Sequence, residues 1–141
     1  MEARYETILE EYAKTLNIEA LTLSEMVRRD VIPAVSAYVA AVAKGVKNQQ
    51  LAVKGLKCKA QGAIIAKLTG LLDAAYDQVE ALDAVVEKSK TAKDALALAK
   101  YFRTKVIPAM DDLRATMDTM ELDVAAKAWP YPSYGDLMFR V

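Results

Sequence analysis

Apolar residues in the second half of the chain recur at spacings that alternate between three and four. The first of these series comprises Ile65, Leu68, Leu72, Ala75, Val79, Leu82 and Val86. The second comprises Val106, Met110, Leu113, Met117, Met120 and Val124. Heptad spacing places each series on one side of an α-helix and is typical of antiparallel helical bundles. The methionines in the second series are interpreted as core residues rather than as a binding groove.

The first half of the chain is predicted to form a short lead-in helix followed by a long one. The lead-in helix is predicted from Arg4 to Leu16, and Asn17 is interpreted as a break before the next helix. The long helix is predicted from about Ile18 to Asn48, because four apolar residues in it share one face. These residues are Val31, Val35, Tyr38 and Val42.

The connection to the last helix is predicted at residues 89–91. Thr91 is interpreted as the residue that caps this helix, with Asp94 in its first turn, and the helix is predicted to end near Ala128. Two prolines lie at similar depths, since "VIPAV" at residues 31–35 recurs as "VIPAM" at residues 106–110. Matched kinks at Pro33 and Pro108 are therefore predicted at one level of the bundle.

The chain ends in a segment of different character, "WPYPSYGDLMF" from Trp129 to Phe139. Pro130 and Pro132 lack the amide hydrogen that a helix needs, and each disfavours helical geometry in the residue before it. The sequence predicts a helical bundle over residues 1–128 and an extended tail over residues 129–141. The predicted fold is all-α: an elongated antiparallel bundle of three long helices with the lead-in helix.

Composition excludes several classes of function. The 141 residues carry 19 basic and 19 acidic side chains, so no positive excess favours nucleic acid. The longest uncharged stretch in the main body, residues 31–43, is too short to span a bilayer, and the charged N-terminus does not resemble a signal peptide. A cytoplasmic protein without membrane contact is expected. Cys58, the single cysteine, is interpreted as a half-buried helix residue.

No combination of residues in the sequence indicates catalysis. The chain has no histidine, which argues against most zinc sites and against histidine-activated nucleophiles. The adjacent carboxylates Glu10–Glu11 and Asp111–Asp112 point about 100° apart on a helix and do not converge. Gly62 and Gly70 interrupt the third helix, and a close approach to a neighbouring helix is one interpretation of them.

Several segments of the sequence resemble the C-terminal region of the type III glutamine synthetases. That family ends in a Trp-Pro-x-Pro-x-Tyr segment followed by an acidic residue, leucines and a phenylalanine, and "WPYPSYGDLMF" is similar to it. "LEEYAKTLNIEALT" at residues 9–22 is similar to the stretch that opens the family's C-terminal region. "VIPAVSAY" and "VIPAMDDLR" resemble two of its later helices, in the same order along the chain.

The resemblance implies a non-catalytic domain of a larger enzyme. Full-length members are several times longer, assemble as two hexameric rings, and make glutamine from glutamate, ammonia and ATP with magnesium or manganese. Their catalytic and metal-binding residues belong to an upstream barrel, and no position here matches them. The chain alone is therefore expected to be inactive and to hold no cofactor or metal.

The tail is the part for which the resemblance implies a contact. Its contact residues are predicted to be Trp129, Pro130, Pro132, Tyr134, Asp136, Leu137 and Phe139. They are expected to pack against the catalytic domain or a neighbouring subunit of a homo-oligomer, with a tail folded only onto its own bundle as the alternative.

Two other functions stay open at this point. One is a free-standing helical module for protein interactions, and the length of the native reading frame distinguishes it from a synthetase domain. The other is a small-molecule sensor that uses the seam between helices, which thermal-shift measurements with glutamate, glutamine, ATP and 2-oxoglutarate would detect.

Overall fold

The computed structural model describes residues 2–132, which form helices and turns without a strand. Five α-helices follow one another: α1 (Glu2–Met26), α2 (Ile32–Ala52), α3 (Lys59–Lys88), α4 (Ala95–Tyr101) and α5 (Ile107–Glu121). Short π-helical turns at Val27–Val31 and Phe102–Val106 join α1 to α2 and α4 to α5 without interrupting the helical path. Three long helical rods result, which agrees with the predicted all-α fold.

The middle rod, α3, runs opposite to its two neighbours. At one end of α2, Gln49 accepts hydrogen bonds from Cys58 and Gln61, whereas Arg28, just before α2, reaches Glu80 and Asp83. On the other side, the hydroxyl of Tyr101 donates to the carbonyl of Val85, 2.7 Å away. Helices α2 and α5 both pack on α3, and α1 packs mainly on α4 and α3.

The heptad seams predicted from the sequence form the core. In α3 the buried members are Leu68, Ala75, Val79, Leu82 and Val86, and in the last rod they are Val106, Met110, Leu113, Met120 and Val124. Ile65, Leu72 and Met117 are half-buried at the edges of the seams. The first rod contributes Ala13, Ala20, Leu23, Val27, Val31 and Val35.

The two π-helical turns are explained by the spacing of the buried residues. Leu23, Val27, Val31 and Val35 are four residues apart, and each step of four advances about 40° around an α-helix. Three such steps would carry the apolar stripe about 120° away from the core. A π turn holds an extra residue and cancels most of this drift. The series Leu98, Phe102, Val106 and Met110 has the same spacing around the second π turn.

Proline fits directly after these turns. The amide of Ile32 bonds to the carbonyl of Val27, five residues earlier, and the amide of Ile107 bonds in the same way to Phe102. Pro33 and Pro108 have no amide hydrogen to lose and open the next α-helical segment. Both turns contact α3.

The predicted break at Asn17 is wrong, because α1 continues through it to Met26. Asparagine costs a helix less than about 1 kcal/mol relative to alanine. The apolar stripe passes over Asn17 without a gap, since Ala13, Leu16, Ala20 and Leu23 keep the heptad spacing and pack in the core. Tertiary packing therefore outweighs the local preference, and no separate lead-in helix forms.

Three further boundaries differ from the predictions. The carboxylate of Asp94, not the hydroxyl of Thr91, caps α4, and it accepts from the amide of Ala97 at 2.7 Å. Cys58 lies in the turn before α3 with a left-handed backbone (φ 46°) rather than inside a helix. The last helix ends at Glu121 instead of Ala128, because the chain turns there toward the bundle.

The close approach of helices inferred at Gly62 and Gly70 is not observed. A methyl group added at Gly62 or Gly70 would meet nothing within 4 Å, so no close approach of helices explains either residue. Gly55, in the turn between α2 and α3, has a φ of +85°, which side chains disfavour.

Matched alanine substitutions should separate these two kinds of glycine. Gly70→Ala is expected to raise the free energy of unfolding by about 1 kcal/mol, because alanine is the better helix former and meets no clash. Gly55→Ala is expected to lower it by about 1–2 kcal/mol through left-handed strain. Urea unfolding of both variants measures the difference, and a destabilised Gly70→Ala would contradict the open surroundings of that site.

Candidate docking surface at the C-terminal tail

After α5 the chain folds back toward the first rod. The amide of Asp123 bonds to the carbonyl of Met120 at 3.1 Å, and the amide of Trp129 bonds to Ala125 at 3.1 Å. The carboxylate of Asp123 also pairs with the ammonium group of Lys67 on α3. These contacts close a compact turn and direct the tail onto the bundle.

The described part of the tail is held by two aromatic residues. Trp129 and Tyr131 are half-buried and pack against the hydrophobic core, together with Ala128. The hydroxyl of Tyr131 donates to the Oδ2 atom of Asp30 at 2.5 Å. Asp30 belongs to the first π turn, so the tail is fixed to the point where α1 joins α2.

Electrostatics on this side of the bundle depend on a small network of charges. Burial from water and the hydrogen bond to Asp30 raise the pKa of the Tyr131 phenol from 10.0 to about 12. In the same π turn, Arg28 bonds to Asp83 at 2.6 Å and to Glu80 at 2.9 Å. These carboxylates raise the pKa of Arg28. Through Arg28 the π turn is bonded to α3, and through Asp30 it is bonded to the tail.

Loss of the Tyr131 hydroxyl should loosen the tail in a pH-dependent way. Tyr131→Phe is expected to lower the free energy of unfolding by about 1 kcal/mol at neutral pH, since one hydrogen bond is lost. A raised folded-state pKa stabilises the fold fully below pH 10.0, and that stabilisation disappears as the pH rises to about 12. The difference between wild type and variant should therefore shrink over this range.

Urea unfolding at neutral and alkaline pH measures both effects. Tyr76→Phe is the matched control, because Tyr76 is an exposed tyrosine on α3. A Tyr131→Phe variant that matches this control at every pH would mean that the bond to Asp30 contributes nothing to stability.

The predicted contact residues divide into two groups. Trp129 is half-buried against the bundle, and Pro130 and Pro132 are exposed beside it. The other four, Tyr134, Asp136, Leu137 and Phe139, lie outside the described residues. Sequence reasoning missed Tyr131 and Asp30, which are 101 positions apart and have no local pattern that links them.

A second feature lies at the other end of α1, where an open apolar groove of about 430 Å³ separates α1 from α4. We refer to it as the α1–α4 groove. Tyr5, Ile8 and Tyr12 line one side and are exposed, and Leu96 is exposed on the other side. Lys100 and Arg103 are the charged residues in its lining.

Among residues 2–132, no three cysteine or acidic side chains come together in a way that could hold a metal ion. No helix in that part of the chain is long and apolar enough to cross a bilayer.

The sequence of the chain is similar to proteins of one known family. Residues 1–50 match the family model of the glutamine synthetase C-terminal domain. A glutamine synthetase from Butyrivibrio fibrisolvens is 31% identical over 99% of the chain, and a type-3 glutamine synthetase from Dictyostelium discoideum is 29% identical over 99% of it. No solved structure matches the chain significantly.

The chain spans 20% of the length of each of these relatives. The similarity covers 99% of the chain, so it includes the four sequence segments that resemble this family. The chain thus matches the C-terminal domain of glutamine synthetases in its first 50 residues, and over nearly its whole length it is similar to glutamine synthetases, one of them of type 3.

Proposed function

We propose that this domain supports the assembly of a glutamine synthetase and takes no direct part in its chemistry. The parent enzyme would join ammonia to glutamate at the expense of ATP, with magnesium or manganese bound in its catalytic domain. The helical domain would contact that catalytic domain and neighbouring subunits of a cytoplasmic homo-oligomer. Residues 129–141 would serve as the docking tail of the bundle formed by residues 1–128.

One observation carries this proposal: the way in which Tyr131 is anchored to Asp30. An anchored Tyr131 fixes where on the bundle the described part of the tail ends, next to residues 133–141 in the sequence. Four of the seven predicted contact residues lie in those positions, and three of them are apolar or aromatic. Aromatic side chains remove about 150–250 Å² each from water when buried, which makes them effective contact residues.

Exposed apolar side chains elsewhere on the domain support the same role. Large hydrophobic residues are exposed along α1 and at the turn between α2 and α3: Tyr5, Ile8, Ile18, Leu21, Leu51, Val53 and Leu56. The curated relatives are about five times as long as this chain. Such surfaces suit a domain that other parts of a larger assembly cover.

Two truncations of a full-length enzyme that carries this domain would test the proposal. A cut after Pro132 removes residues 133–141, with four of the seven predicted contact residues, and leaves the bond between Tyr131 and Asp30. A cut after Ala128 also removes Trp129 and Tyr131, and thus the anchor. We expect the first cut to reduce oligomer assembly and glutamine formation while the domain keeps its helix content.

Sedimentation velocity, circular dichroism and the rate of glutamine formation are the measurements. The second cut should cause the same loss of assembly and, in addition, lower the melting temperature. An enzyme cut after Pro132 that stays fully assembled and fully active would contradict a docking role for the tail.

A further inference from the structure

We propose that the α1–α4 groove receives residues 133–141 from a second copy of the chain, so that two copies exchange tails. The inference rests on the proposed function, because it names the surface on which the docking tail binds. It follows from the chemistry of the groove, the chemistry of the tail, and the distance between the groove and the anchor at Asp30.

The groove suits an apolar segment that carries a negative charge. Its floor and walls present Tyr5, Ile8, Tyr12 and Leu96, all of them exposed in the single chain. Both charged residues in its lining, Lys100 and Arg103, are basic. An acidic side chain at the rim would be attracted to them, and apolar side chains on the floor would be removed from water.

Residues 134–139 have this composition, and the basic Arg140 follows them. The sequence SYGDLMFRV places Asp136 directly before Leu137, Met138 and Phe139, with Tyr134 two positions earlier. Asp136 is the acidic residue of the segment and can face Lys100 or Arg103. Leu137 and Phe139 can then cover the apolar floor.

The geometry argues against binding within one chain. Tyr12, at the near end of the groove, precedes Asp30 by 18 residues, which is about 27 Å along the helix. Asp136 follows the anchored Tyr131 by five residues and reaches about 17 Å at most. Even Phe139, fully extended, reaches about 28 Å and stops at the near end. Within one chain, therefore, Asp136 and Leu137 cannot reach the groove, whereas a second copy has no such limit.

Reciprocal exchange would create an interface of sufficient size. Two tails carry four aromatic residues, counting Tyr134 and Phe139 twice, and these would remove about 600–1,000 Å² from water. Apolar contacts from Leu137 and Met138 add to this area. A specific interface needs about 1,000 Å², and exchange of an identical element is an economical route to a two-fold dimer.

Sedimentation equilibrium of the chain and its variants tests the proposal. The wild-type chain is expected to dimerise, and a chain cut after Pro132 should bind itself at least about tenfold more weakly. Ile8→Asp should have the same effect, because it places a charge on the groove floor. Ile18→Asp is the matched control: Ile18 lies on the same helix outside the groove and is 55% exposed, against 60% for Ile8.

A mixture of two defective chains identifies exchange. The Ile8→Asp chain has a complete tail but a damaged groove, and the chain cut after Pro132 has a complete groove but no tail. Each alone should be a monomer, whereas the mixture should form a heterodimer held by one tail in one groove. Asp136→Arg should weaken the wild-type dimer, and adding Arg103→Asp in the same chain should restore it.

Several results would overturn the exchange model. These are a monomeric wild-type chain, a dimer that survives the cut after Pro132, equal effects of Ile8→Asp and Ile18→Asp, or a mixture that stays monomeric. None of these results decides the assembly role. If the full-length enzyme cut after Pro132 still loses its assembly, the tail docks on a different surface and the proposed function stands.

Discussion

Leu82→Asp is expected to abolish cooperative folding of the domain. Leu82 is 0% exposed in the seam of α3, with buried side chains from both neighbouring rods in the same core. The substitution removes an apolar side chain and forces a carboxylate into the hydrophobic core. Such changes cost more than about 4–5 kcal/mol. This is comparable to the whole stability of a small domain, about 5–15 kcal/mol.

Circular dichroism with thermal and urea unfolding measures the loss. Leu51→Asp is the matched control, because Leu51 is 76% exposed near the end of α2. The control should keep its cooperative transition and its midpoint. A Leu82→Asp chain that melts cooperatively near the wild-type temperature would show that α3 does not lie at the centre of the core.

Phe102→Ala is expected to lower the free energy of unfolding by about 3–5 kcal/mol, the usual cost of removing a buried phenylalanine. Phe102 opens the second π turn and is 2% exposed. Its ring packs edge-on against Tyr101, with 6.5 Å between ring centroids and 84° between planes. Truncation would leave a cavity between α1, α3 and the last rod.

Urea unfolding with an unchanged m-value would identify this loss as a loss of stability alone. Tyr76→Ala removes an exposed aromatic residue from α3 and should cost far less. Equal costs for the two variants would mean that Phe102 is not enclosed by the three rods.

Features that depend on neighbouring residues in the sequence are predicted correctly more often than features that depend on contacts between distant residues. The seams in α3 and α5 were found because heptad spacing over six or seven residues specifies both a helix and its buried face. The break predicted at Asn17 is wrong because the local preference of asparagine is weak, whereas the apolar stripe, which includes the alanines at positions 13 and 20, continues through it. The repeated motif around Pro33 and Pro108 is evident in the sequence, but it does not predict the π-helical turns that precede the two prolines.

The position of the tail depends on contacts that local sequence patterns do not predict. The two prolines predict that the last helix stops at Ala128, before Trp129, and it stops seven residues earlier, at Glu121. The earlier end brings Trp129 and Tyr131 back to the first rod, where Asp30 accepts a hydrogen bond from a residue 101 positions later. The high helix propensity of this alanine-rich stretch predicts neither the early end of the helix nor the contact with Asp30.

The π turns also limit how this domain can change in length. Each is equivalent to a single-residue insertion that the helix absorbs without a loop. Deleting Arg29 would make the rod more regular, yet it would turn everything before it by about 100° relative to α2. Ala20 and Leu23 would then face water. Among related sequences, alignment gaps should therefore avoid the five positions of this turn, Val27–Val31.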